Sequence, residues 1–493
     1  MSVHFMAVLG TSLYEPVVYS REDFNFSERE EEFIQLAYIE SLREELKENG
    51  KTTIFVTSAS KSRNWEDRQY TSNDQELAFK WVSERKEEVV PGNKKKGMKT
   101  QIAERFPELM DRINCVEIPD GKNEEEIDLQ FQRMFHAIEE GDEIVFDITH
   151  SFRSIPMLAM TVINYAKILL NCSLREIVYG AFEARNPETN VAPIFNLTVY
   201  NEVLEWTSAA EMFIRYGNAR PMNDLVKKKK AMLPNQEKSS LSWLENRTRD
   251  LAMLTDNIAT CRGQRADKVV GNRAGSSIEG AYTNMVINKG RSDKAYKVRR
   301  EIKPLLPLIE KAEESMQGFH CEHNYEIGMN VVRWSIKNNM IQQGYTALEE
   351  SIKTYLCYYC GLDDAVKEER EFYIGNILGV INNVSRDGLE DTIEGRKKIY
   401  ERWEQDHKTK DSLQTYFAEQ IEQRQLLARQ LIMEIDFKLV NRITDLKARR
   451  NDINHFGMRV DPASSDKLKE DLANIYRGIQ EGIQSMEKKK AGN

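Results

Sequence analysis

Short apolar runs alternate with amphipathic stretches through the first 200 residues, and this alternation narrows the fold more than any other feature of the chain. Residues 3–10 (VHFMAVLG) read as a short apolar run ending in Gly10, as a buried strand would, and 52–58 (TTIFVTS), 114–121 (NCVEIPDG, a short one) and 142–151 (DEIVFDITHS) read as further strands. Between them lie predicted helices. Residues 31–50 place Phe33, Ala37, Leu42 and Leu46 at helical spacing and stop at Gly50; further helices are expected over 75–88, near 100–112 and over 125–141. A lysine-rich loop is expected between the second and third of these. A largely apolar helix (154–171) and two more strands (174–184 and 191–200) complete the region. Strands separated by helices of this length predict a mostly parallel sheet covered on both faces. Only a turn with Asn186 and Pro187 separates the last two strands, so that pair is expected to be antiparallel.

From about Asn201 the strand signals stop and an all-helical region begins. Residues 329–361 and 414–457 read as long helices, and 271–290, with four glycines, as a loop or boundary. A chain of 493 residues exceeds one compact core. The expected division is 1–200 (α/β, Rossmann-like), 201–318 (helical linker or insertion) and 319–493 (helical). No apolar run approaches the ~20 residues of a membrane helix and no leader follows Met1, so a cytoplasmic protein with no membrane partner is expected. Six scattered cysteines do not make a disulfide framework. The net charge of −9 argues against a surface coated for non-specific nucleic-acid binding, although lysines cluster at 94–96, 227–230 and 488–490. These clusters read as loops or solvated helix faces, with a nucleic-acid contact strip as the alternative.

In open parallel sheets, ligands bind beyond the carboxyl ends of the strands. Three such ends carry small polar loops: Gly10, Thr11 and Ser12 after the first strand, Thr57 and Ser58 after the second, and Thr149, His150, Ser151 and Arg153 after the fourth. Ser154 then reads as a helix N-cap, with Pro156 in the first turn. Hydroxyls, a guanidinium and free N–H groups at a helix start suit an anionic ligand, most naturally phosphate. Neither GxGxxG nor GxxxxGK[ST] occurs, which argues against a nicotinamide or Walker-type nucleotide site. The run DITHSFR resembles the DxTHG-type signature of CARF domains of CRISPR-associated proteins, with Ser151 where glycine is usual; LGTS and YGAFEA resemble that family as well. The resemblance implies a Rossmann-like domain that dimerises and binds a cyclic oligoadenylate as activator, most commonly the four-membered ring.

Near the C-terminus, residues 449–457 read RRNDINHFG. In a helix Asn451 and His455 are i, i+4 neighbours and Arg450 adjoins Asn451. RNA is cut without a metal when its own 2′-hydroxyl attacks the adjacent phosphorus. Histidine suits the proton transfers of that step, arginine the phosphorane charge, and Asn451 can orient either. One histidine is short of an acid–base pair, so the chemistry asks for a homodimer or a larger homo-oligomer. RRNDINH resembles the R-N-x-x-x-H form of the HEPN ribonuclease motif, and residues 329–356 resemble the first long HEPN helix. Together the resemblances imply a CARF–HEPN ribonuclease of type III CRISPR systems, activated by cyclic oligoadenylate to cut single-stranded RNA with Arg450, Asn451 and His455. A rival reading is a CARF regulator whose helical half binds without cutting; another is an enzyme that also degrades its activator through Thr149, His150 and Ser151. Cys357 and Cys360 (CYYC) with Cys321 and His323 form a conceivable zinc set, though core packing is favoured.

Overall fold

The computed structural model describes residues 2–21, 24–27, 29–79, 89–150, 155–264, 277–295, 305–319, 321–386, 391–458 and 460–492. The chain divides into two compact units, Met1–Leu204 and Glu205–Asn493. The first is built on eight strands: β1 Ser2–Leu9, β2 Val18–Arg21, β3 Phe24–Asn25, β4 Lys51–Val56, β5 Ile113–Glu117, β6 Asp142–Asp147, β7 Ser173–Gly180 and β8 Val191–Asn196. Their order is β3-β2-β8-β7-β6-β1-β4-β5. The block β5-β4-β1-β6-β7 is parallel throughout, and β7 and β8 are antiparallel, with Gly180 opposite Ile194. The sheet is therefore mostly parallel and Rossmann-like. Strands β2 and β3 were not expected; they are four and two residues long, too short to show a period.

Both faces of β1 are buried, as a central parallel strand requires. Phe5, Ala7 and Leu9 join one core with Ile34, Leu36, Met98 and Ile102. Met6 and Val8 join the other with Met134, Ala159, Val162 and Ile163. From β1 the chain steps outward to β4 and β5, then returns to place β6 on the other side of β1. That reversal is a topological switch point, where the loops after β1 and β6 part and leave a crevice.

Several expected helices are interrupted. The helix over 31–50 breaks at Leu42 into Ile34–Ser41 and Arg43–Glu48. Of 75–88, the described part is the helix Ser72–Phe79; the remainder lies outside the described residues. The helix near 100–112 is α-helical only over Met98–Arg105, because Pro107 forces Phe106 out of helical geometry and a 3₁₀ turn follows. The expected lysine-rich loop contains a two-stranded ribbon, Lys94–Lys95 against Arg68–Gln69, which buries Lys95.

The second unit is helical wherever it is described. The long helix expected over 329–361 is a hairpin of two helices, Asn324–Lys337 and Ile341–Tyr359, separated at Asn339, whose φ of 59° no helix allows. The helix expected over 414–457 breaks twice: at Phe417, where helix His407–Tyr416 ends and a 3₁₀ turn leads into Ile421–Glu434, and at Asp436, whose side chain accepts the Lys438 N–H and starts Phe437–Asn454 afresh. Part of the expected glycine-rich loop is helical from Ile278. Helices Ile341–Tyr359, Phe437–Asn454 and Ser465–Gly492 share a core that includes Tyr345, Leu348, Ile352, Leu439, Ile443, Leu472 and Ile479. No described helix is long and apolar enough to cross a membrane.

At the end of the sheet opposite the crevice, fully buried His4 bridges its neighbouring strands. Its Nδ1 lies 2.9 Å from Asp142 Oδ2 on β6, and its Nε2 2.8 Å from Thr53 Oγ1 on β4. Burial, outweighing Asp142, holds the imidazole below its usual pKa. The unfolded chain takes up a proton near pH 6.5 that the folded protein refuses, so this group's contribution is intact above that pH and is lost as pH falls. Denaturation followed from pH 7.5 to 5 should show His4→Gln with a shallower acid loss than wild type, by up to about 1.4 kcal/mol per pH unit. Parallel profiles would contradict this assignment.

Candidate functional site

At the switch point lies a cavity of about 390 Å³, lined by the loop after β1 (Gly10 to Glu15), by Tyr19, by Thr149 and His150 after β6, and by Tyr179, Gly180, Phe182 and Glu183 around the end of β7. Of the residues expected to bind ligand, it gathers Gly10, Thr11, Ser12, Thr149 and His150. Thr57 and Ser58 do not line it: Thr57 closes a capping box with Ser60, and Ser58 is exposed. Ser151 and Arg153 lie outside the described residues. The described lining contains no lysine or arginine.

Asp147 organises the β6 side. Its carboxylate is fully buried; Oδ1 accepts the Thr149 N–H at 3.0 Å and the Thr149 hydroxyl at 2.5 Å, and Oδ2 accepts Gln35 Nε2 at 2.6 Å. Burial pushes this carboxyl up to about 6, against those three hydrogen bonds. Thr149 Oγ1 also accepts the Gly180 N–H at 2.8 Å. The Thr149 hydroxyl thus donates to one strand end and accepts from the next, which makes it a stitch across the sheet.

His150 is different. Its Nε2 is buried without a hydrogen-bond partner among the described residues, and its ring lies 3.8 Å from the Tyr14 ring. Burial pushes the imidazole down to about 3, so it is neutral near pH 7. Tyr14, Tyr179 and Phe182 add aromatic surface. Glu183 accepts the Tyr179 hydroxyl at 2.9 Å, and Glu15 is paired with Arg185 at 2.5 Å.

The loop after β1 is held from below. Asn64 Nδ2 donates to Gly10 O at 2.9 Å and Ser12 O at 2.8 Å, while Asn64 Oδ1 accepts from Lys95 Nζ at 3.1 Å. Lys95 is paired with Glu32 at 2.6 Å. Burial pushes the Glu32 carboxyl up, and Lys95 opposes it. Of these three, Lys95 figured in the sequence only as part of the cluster at 94–96, read as loop or solvated surface, and Asn64 and Glu32 not at all. A signal existed for Lys95: consecutive residues of a strand point to opposite faces, so one lysine of a run must turn inward.

In the second unit, helix Phe437–Asn454 carries the other candidate residues at its C-terminal end. Arg450 Nη1 pairs with Glu349 Oε2 of helix Ile341–Tyr359 at 2.9 Å. Asn451 is exposed, and His455, at the C-cap, is exposed too; the His455 N–H bonds Asn451 O at 3.0 Å. Asn451 and His455 therefore keep their i, i+4 relation. Asp452 is buried and accepts the Ala463 N–H at 2.8 Å, closing the loop that follows His455. That loop exposes Phe456, Met458 and Val460. Cys321, Cys357, Cys360 and His323 do not form a ligand set: Cys357 is buried in the helical core and the His323 ring packs on Tyr358 at 4.2 Å. Among the described residues no group of three metal-ligating side chains occurs.

A Cβ at Gly10 would collide with Tyr14 Oη and the His150 carbonyl, whereas one at Gly379, in helix Gly375–Arg386, meets nothing within 4 Å. Gly10→Ala should destabilise the protein by about 1–3 kcal/mol in thermal or denaturant melts, and Gly379→Ala should be neutral or stabilising by up to about 1 kcal/mol. Equal effects would contradict the packing described.

Residues 5–185 match the family described as "CRISPR system endoribonuclease Csx1, CARF domain". The chain is also similar to the CRISPR-associated protein MJ1674 of Methanocaldococcus jannaschii, 25% identical over 283 residues, which is 57% of this chain and 39% of that protein. The chain thus spans about two fifths of that relative's length. The matched family, the mostly parallel sheet and the crevice at its switch point agree in likening the N-terminal unit to the CARF domains of CRISPR-associated proteins.

Proposed function

We propose that this protein is a metal-independent endoribonuclease of type III CRISPR defence, switched on by a cyclic oligoadenylate bound in the N-terminal crevice. The observation that carries the first half is the crevice itself, which sits where a CARF domain receives its ligand and offers what an adenylate ring needs. Aromatic faces suit base stacking. Glu183 and the orphan His150 nitrogen suit hydrogen bonds to adenine edges. A cavity of about 390 Å³ is small for a ring of four nucleotides, so a second copy across a two-fold axis would complete the site.

The second half rests on Arg450, Asn451 and His455, clustered at one helix end. In the proposed reaction His455 of one copy takes the proton of the 2′-hydroxyl, and the 2′-oxygen bonds to phosphorus. The bond from phosphorus to the 5′-oxygen breaks, and that oxygen receives a proton from the partner's His455. The products are a 2′,3′-cyclic phosphate and a 5′-hydroxyl. Arg450, steadied by Glu349, would stabilise the phosphorane oxygens. The exposed apolar residues Phe456, Met458 and Val460 next to His455 are what a second copy would cover.

The test uses purified protein, labelled single-stranded RNA and EDTA, with rings of three to six adenylates added separately. Cleavage should appear with one preferred ring, leave cyclic-phosphate ends, and fall by at least about 10²-fold in His455→Ala. Binding of a ring without cleavage would favour the regulator reading. Cleavage that survives His455→Ala would place the active site elsewhere.

A further inference from the structure

The crevice poses a chemical problem. Its proposed ligand carries a negative charge on every phosphate, yet the described lining contains no lysine or arginine and does contain two carboxylates, Glu15 and Glu183. Arg185 pairs with Glu15, and among the described residues Glu183 is met by the neutral Tyr179 phenol. Among the described lining residues, the donors left to offset this are the hydroxyls of Thr11, Ser12 and Tyr19 and the backbone N–H groups.

The loop after β1 is arranged for that task. The three partners of Asn64 fix its amide orientation: two carbonyls, which only accept, and one ammonium, which only donates. With the Gly10 and Ser12 carbonyls drawn toward Asn64, planar trans peptides turn the N–H groups of Thr11 and Leu13 the opposite way. Thr11 and Leu13 line the crevice, and Asn64 does not. The Tyr14 hydroxyl lies against Gly10, where a Cβ would collide with it, and the Tyr14 ring rests on His150. Carbonyls are thus pinned on one side of the loop and alternate N–H groups on the other, leaving a pair of donors directed at the crevice.

The support behind Asn64 is unusual for surface loops. Lys95 is 2% exposed, its ammonium lies 5.2 Å from the Phe33 ring centre, and its charge is held against Asn64 Oδ1 and Glu32. An ammonium on the amide oxygen polarises the amide and strengthens both of its N–H bonds to the loop. Asn64 itself sits in a π-helical turn, Lys61–Trp65, a rare local geometry that recurs at functional sites.

We propose that Asn64 and Lys95 are positioning residues for ligand phosphate: Lys95 anchors Asn64, and Asn64 turns the carbonyls of Gly10 and Ser12 away from the crevice so that the Thr11 and Leu13 N–H groups receive a phosphate oxygen. This rests on the reading of the crevice as a cyclic oligoadenylate site. It adds residues outside that site which set its affinity, and it assigns phosphate binding to main chain.

Calorimetric titration of the full-length protein with cyclic tetra-adenylate, and with the three-, five- and six-membered rings, tests it. Asn64→Ala and Lys95→Met should each raise Kd by about tenfold or more, the scale of one lost charge-assisted restraint. Stoichiometry should be unchanged, whereas partial unfolding would lower the number of sites and leave Kd alone. Lys95→Met leaves Glu32 buried without its cation, so Lys95→Met with Glu32→Gln is the companion variant, and it should show the same weakened binding on a restored fold. Lys95→Arg should recover part of the affinity. Wild-type Kd values in Asn64→Ala and in the double variant would overturn this inference alone. Failure of wild type to bind any ring would overturn the reading of the crevice, and this inference with it.

Discussion

The N-terminal unit depends on one buried carboxylate. Asp147 closes β6 beside the switch point, without an ion-pair partner among the described residues, and is held by hydrogen bonds alone. Ionising a carboxyl in such surroundings is costly, and the Thr149 and Gln35 donors are what make the anion tolerable. The cost has a structural return. Thr149 can serve Asp147 and Gly180 only if β6 and β7 end together, and a Cβ at Gly180 would crowd the Ile34 and Tyr19 side chains. The crevice is therefore defined by a buried charge whose satisfaction fixes two strand ends.

Much of this was legible in the sequence, because buried parallel strands betray themselves by apolar runs. The strands β1, β4 and β6 and the loops after β1 and β6 follow from that pattern, the antiparallel pairing of β7 with β8 follows from the short turn between them, and β5, an edge strand with no buried residue, showed only as a short strand between helices. Helix ends were less legible. The breaks at Leu42, Asn339 and Asp436 fall inside continuous amphipathic patterns, and each is decided by a local backbone or capping geometry that periodicity does not encode.

Roles were harder to read than positions. A hydroxyl in a ligand loop looks the same in sequence whether it faces solvent or its own backbone. Thr149 and Thr57 turn theirs inward, to a strand end and to a helix start. His150, by contrast, keeps an unpartnered nitrogen. Asn64, Lys95 and Glu32 are far from the motifs in sequence, and only the fold brings them under the loop. In the helical unit Arg450 and His455 share a helix end as the spacing requires, while Glu349, about a hundred residues earlier, could be found only from the contact it makes.

Ligand and catalysis are proposed to belong to separate units, and a ligand can shift an equilibrium only by its differential affinity for the two states. Ring occupancy and cleavage must then move together. The decisive measurement follows both in one tube, with a fluorescent cyclic oligoadenylate reporting occupancy and a quenched RNA reporting cleavage under single-turnover conditions. The account predicts no cleavage without ring, and a rate that rises in proportion to the fraction of sites filled until both saturate. A full rate in the absence of ring, or saturated sites with no cleavage, would contradict it.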